Sequence, residues 1–120
     1  MSRTDLRELL PLHPFELRIL FALLDGPSHG YHIVKEIEER DASWATIFPG
    51  NLYRRLRDLT AKGLVEESAP PADSGDARRR RYFKITALGR EVARAEALRL
   101  DDLVREARKR RLLPRAQGSS

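Results

Sequence analysis

Three features of the sequence predict a mainly α-helical fold with one small β-hairpin and a long final helix. Apolar residues recur at helical spacing as far as residue 63, the pattern becomes strand-like over 64–85, and a helix-forming run follows Thr86. At 120 residues the chain is long enough for one modest core, and a partner subunit would help to cover its surface. The expected division is a compact unit over 1–86 with an N-terminal helix over 3–10, a helix over 87–113, and a flexible tail over 114–120.

The elements follow in order. Leu6, Leu9 and Leu10 give the N-terminal helix a short apolar stripe before Pro11. Pro14 suits a first helical turn, and residues 15–24 are apolar nearly all round, the mark of a buried helix stopped by Asp25-Gly26-Pro27. Ser28 or His29 can cap a second helix, whose apolar face is read as Tyr31, Val34 and Ile37 above the acidic Glu36, Glu38 and Glu39. Pro49 opens a third helix that ends near Gly63. Residues 64–67 and 80–85 read as two strands joined by the breaker-rich loop 69–76. Tyr82 and Phe83 alternate, so one is expected in the core and one on the exposed side. Thr86 can cap the last helix, which over 87–112 would be about 38 Å long, too long to belong wholly to a small core.

The third helix carries the first functional signal. At helical spacing Leu52, Leu56 and Leu59 form one stripe, while Gly50, Arg54, Arg57 and Ala61 fall on the opposite side, flanked by Asn51, Tyr53 and Arg55. Guanidinium, amide and phenol groups on the first turns suit base edges and phosphates, and Gly50 leaves room for close approach. A solvated amphipathic face would also look this way. The order of parts decides: two short helices, a basic third helix and then a basic hairpin make a winged helix-turn-helix. Arg78, Arg79, Arg80 and Arg81 stand in a row at the hairpin, where alternation turns some of them away from the core and toward the third helix.

Along the last helix Ala93, Ala97, Leu100, Val104 and Ala107 recur at spacings of four and three, widened by Leu98 and Leu103. Such a stripe is expected to serve as a homodimer seam, with Leu6, Leu9 and Leu10 beside it. The basic run 108–111 looks like another nucleic-acid patch, but cations at a helix C-terminus offset the dipole, and that reading is preferred.

Composition narrows the classes. The net charge of +5 is confined to the middle and end: residues 1–40 hold five basic and seven acidic side chains, 41–84 hold nine and six, and 85–120 hold nine and five. Without cysteine there are no disulfides, thiolate nucleophiles or zinc–cysteine sites. His29 and His32 lack a further strong ligand beside them, no phosphate loop or nucleophile–base pair is evident, and no enzyme, metal or cofactor is expected. With no long apolar run and no signal-like N-terminus, the cytoplasm is the expected location. The expected partner is double-stranded DNA; a winged-helix module that binds protein or RNA is the competing reading.

Gly30-Tyr31 at the second helix, Pro49-Gly50-Asn51-Leu52-Tyr53-Arg54-Arg55-Leu56 in the third, Gly63-Leu64-Val65, Arg80-Arg81-Tyr82-Phe83-Lys84-Ile85-Thr86 and Gly89 together resemble the PadR family of bacterial transcriptional regulators over about residues 12–90. The resemblance implies a winged helix with a C-terminal dimerisation helix, usually a repressor, sometimes released from DNA by a small molecule. It places Tyr53 at the DNA-facing start of the third helix. Trp44 is an aromatic that could stack on such an effector or pack between helices. Phe48 stands where members of the family often have a small polar helix cap.

Overall fold

The computed structural model describes residues 5–41, 49–72 and 80–115. A 3-10 turn, Leu6–Leu9, precedes helix α1 (Pro14–Ala22), strand β1 (Ser28–His29), helices α2 (Gly30–Arg40) and α3 (Pro49–Ala61), strands β2 (Val65–Ser68) and β3 (Tyr82–Ile85), and helix α4 (Ala87–Lys109).

Local chemistry accounts for the boundaries. His13 caps α1 by accepting from the Phe15 N–H at 3.1 Å, while Glu16 reaches back to the His13 N–H at 3.0 Å. His29 Nδ1 accepts from the His32 N–H and caps α2. Gly63 takes φ 78 just past α3, which a residue with a Cβ adopts only with strain. Thr86 works in two directions, accepting from the Gly89 N–H and donating to the Gly63 carbonyl at 2.6 Å, so one hydroxyl fastens the start of α4 to the end of α3.

The core is built from Phe15, Leu17, Ile19, Leu20 and Leu23, from Ile33 and Ile37 of α2, from Leu52, Leu56 and Leu59 of α3, and from Leu64, Val65, Phe83 and Val92. The predicted inner stripe of α3 is thus buried. Glu16 lies beneath α3 and receives the Lys62 ammonium at 3.3 Å, which neutralises an otherwise unpaired buried carboxylate.

Four expectations need correcting. Tyr31 is 65% exposed, and Ile33 takes its place beside Ile37; one residue of helical rotation separates the two readings. The hairpin belongs to a three-stranded antiparallel sheet in the order β1-β3-β2. Because β1 pairs His29 with Tyr82 and closes the imidazole edge-on to the phenol at 5.3 Å, Tyr82 and Phe83 are both buried rather than one on each side. Among the described residues the N-terminal segment is a 3-10 turn over Leu6–Leu9 rather than an α-helix, residues 3 and 4 of the expected helix lying outside them, and Leu6, Leu9 and Leu10 lean half-buried on their own core. Ala93, assigned to a subunit seam, is 4% exposed and covered by its own chain, so it has no surface to offer a partner.

The first turns of α4 complete this core. Gly89, Val92, Ala93 and Glu96 are buried. The close approach needs the glycine: a Cβ at Gly89 would sit 2.1 Å from the Leu64 carbonyl oxygen. Glu96, 1% exposed, accepts from the Leu12 N–H at 2.9 Å and pairs with Arg99. The Arg99 hydrogen bond, helped by the Leu12 N–H and opposed by burial, holds the Glu96 carboxyl below its ordinary value of 4.5.

Candidate nucleic-acid interface

Helix α3 presents its cationic side as the leucine stripe requires. With Leu52, Leu56 and Leu59 inward, Gly50, Asn51, Arg54, Arg57 and Ala61 are exposed and Arg55 is half-buried. A Cβ at Gly50 would meet nothing within 4 Å, so a ligand can come close to the backbone there.

Tyr53 is the joint of this surface. It is 36% exposed, and its hydroxyl lies against Gly30, where a Cβ would come within 2.7 Å of the oxygen. On its other side it tilts toward Phe83 with ring centroids 6.4 Å apart. The Arg81 guanidinium sits over both rings, 5.9 Å from Tyr53 and 5.3 Å from Phe83, within range of cation–π attraction. Two stretches distant in sequence, the opening of α2 and the wing, therefore fix the same side chain of α3.

Between α3 and the sheet lies a hollow of about 330 Å³, into which Arg57 of α3 and Arg81 beside β3 both project, over Leu56 and Phe83. This brings one helix arginine, Arg57, and one hairpin arginine, Arg81, together on one side. Arg81 also pairs with Glu67 at 2.5 Å across the hairpin, and both partners are more than half exposed. A pair so solvated contributes at most about 1 kcal/mol, so a phosphate can compete for the arginine. Arg80 turns the other way, its Nη1 3.0 Å from His29 Nε2 on β1. The remaining wing arginines, Arg78 and Arg79, lie outside the described residues, as do Trp44 and Phe48.

Sequence reasoning missed Glu67, an acid set among the cations. It also missed the cluster of His29, exposed Tyr31 and Lys35, whose ammonium lies 5.6 Å from the Tyr31 ring, at the start of α2. Strand alternation, which puts Glu67 on the face of its partner Phe83 and so diagonal to Arg81, was the available signal for Glu67. Nothing in the local pattern announced β1, which brings His29 to Arg80. Among the described residues no group of three or more metal-ligating side chains converges, and no helix is long and apolar enough to cross a membrane.

A basic helix held against a small three-stranded sheet, with arginines just ahead of β3, by a short helical pair defines a winged helix-turn-helix protein. Residues 19–95 match the model of the transcriptional regulator PadR-like family, and the chain belongs to that family. It is 42% identical over 82 residues to a 37.1 kDa protein in transposon TN4556 from Streptomyces fradiae, matching 68% of this chain and 21% of that protein, and so spans about a fifth of that relative's length. It is 32% identical over 88 residues to protein X of Lysinibacillus sphaericus, covering 73% of this chain and 72% of the other. Among solved structures, a PadR family transcription regulator from Clostridium difficile R20291 superposes with a TM-score of 0.70 at 20% identity, covering 81% of this chain and 97% of that one. Bacillus subtilis PadR, solved in complex with operator DNA, gives a TM-score of 0.58 at 19% identity over 69% of this chain and 46% of its own. At such identities these likenesses speak for the fold.

Proposed function

We propose that this protein is a sequence-specific DNA-binding transcriptional repressor that works as a homodimer on an inverted-repeat operator. The observation that carries the reading is the shared hollow in which Arg57 of α3 and Arg81 of the wing meet beside Tyr53; membership of a family of transcriptional regulators supports it.

In this reading α3 enters the major groove with Gly50 and Asn51 leading. Arg54 and Arg57 reach base edges, while Tyr53 and Arg55 reach base edges or the adjoining phosphates. Arg78, Arg79, Arg80 and Arg81 hold the flanking backbone, Arg81 exchanging Glu67 for a phosphate. Two copies joined along Ala97, Leu100, Leu103, Val104 and Ala107 would set two such helices about one helical turn apart. Bound there, the dimer blocks transcription, and a small-molecule effector, with Trp44 among its contacts, releases it.

The test is to select bound fragments from random duplexes with the purified protein and read the enriched site for two-fold symmetry. Arg54→Ala is expected to weaken binding to the selected site by about 1–3 kcal/mol and to relax one base position, whereas Arg81→Ala weakens binding to all duplexes and lowers the salt slope by about 1. No enrichment, or equal losses on selected and random DNA for both variants, overturns the reading.

A further inference from the structure

We propose that the C-terminal end of α4 is a second phosphate-binding surface, separate from the α3–wing face, whose ligand is the backbone of a nucleic-acid duplex. This rests on the DNA-binding reading above and extends it to residues that the reading leaves unused.

Charge distribution is the first argument. Residues 105–115 hold six basic side chains and one acidic, a surplus equal to the +5 of the whole chain, so all the other residues together balance. Local needs account for only part of it. Arg105 pairs with Asp101 and Arg110 with Glu106, each one helical turn away. The helix dipole presents about half a negative charge at its C-terminus, far less than four cations. Arg108, Lys109, Arg111 and Arg115 have no carboxylate within ion-pair distance among the described residues.

Backbone geometry is the second. The helix closes with the Leu112 N–H bonded to the Ala107 carbonyl at 2.9 Å and the Arg111 N–H to that of Arg108 at 3.0 Å, the bond pattern of a Schellman cap. Its left-handed position, φ 61, is one that glycine fills most easily, yet here it holds Arg111. The turn then curls so that Arg108, Lys109, Arg111 and Arg115 line an open concavity edged by Leu112 and Leu113. Arg108 is held toward it by donating to the Pro114 carbonyl.

Chemistry chooses the ligand. Five of the six cations are arginines, whose planar donor fork matches phosphate oxygens better than an ammonium does. Exposed except for half-buried Arg108, they add little to folding, and like charges at this density oppose the apposition of two such ends. A polyanion relieves both difficulties.

The experiment compares the full chain with a triple variant, Lys109→Gln, Arg111→Gly and Arg115→Gln, by fluorescence anisotropy on a random-sequence duplex over a salt series. The glycine suits the left-handed site, and Arg115→Gln alone, beyond the helix, guards against misfolding. Each lost phosphate contact lowers the slope of log K against log salt by about 0.9. The triple variant is therefore expected to lose about 2 to 3 in slope and the single variant about 1, with the selected operator unchanged. An unchanged slope in both variants overturns the proposal, as does a loss confined to anionic phosphatidylserine vesicles. Failure of the wild-type chain to bind any duplex would instead remove the DNA reading and this surface with it.

Discussion

In residues 87–96 of α4 the apolar spacing disappears into the core, with Gly89, Val92 and Ala93 covered by their own chain. In residues 97–109 the same spacing leaves Leu98 at 60%, Leu103 at 52%, and Leu100 and Val104 more than a third exposed. One helix with one rhythm therefore lives in two environments. The difference teaches that periodicity reports which residues share a face, but not what covers that face. Only the elements that happen to reach the helix decide this, here the 3-10 turn, α1 and, at Gly89, the segment around Leu64.

The sharpest way to break the comparison is Gly89→Ala. Helix propensity alone would favour alanine by about 1 kcal/mol. The Leu64 carbonyl 2.1 Å from the new carbon is backbone and cannot step aside, so a net loss of about 3 kcal/mol or more is expected in urea unfolding. Next is Glu96→Gln, which removes the charge that Arg99 pairs with; Arg99 is partly exposed, so the expected cost is about 1–2 kcal/mol at neutral pH. Since the folded carboxyl titrates below 4.5, its stabilisation is present above that value and disappears as pH falls through the lowered one. The gap between wild type and variant should then close in acid, and a gap that persists would mean the charge is not what stabilises.

Arg111→Gly, at the far end of the exposed half, should raise stability by about 0.5–1 kcal/mol by relieving the left-handed residue. A thermal melt checks the sign. Leu103→Lys should change monomer stability by less than about 0.5 kcal/mol, while sedimentation shows loss of the proposed dimer. A large fall in stability at position 103 without a change in mass would mean that this half, too, is covered from within.

Much of this was legible in advance, and the reasons differ by element. The α3 leucine stripe spans about two turns, so its inner and outer faces followed from spacing alone, and the outward arginines with them. Thr86 and Pro14 announced their helices because capping is local chemistry. Strand β1 was invisible: two residues have no period, and their hydrogen bonds come from β3, more than fifty residues on. The same gap misplaced Tyr82. The burial of Glu96 was also hidden, because a carboxylate reads as surface until the Leu12 N–H and Arg99 are seen around it. The meeting of Arg57 and Arg81 was inferred from the order of parts rather than from either segment.

The contact between Gly30 and Tyr53 bears on anyone who would retarget the protein. A side chain at position 30 would press on the Tyr53 hydroxyl and displace that ring, and with it the cation–π seat of Arg81. Retargeting would therefore keep positions 30 and 53 as a locked hinge pin and vary 50, 51, 54 and 57, where the surroundings are open.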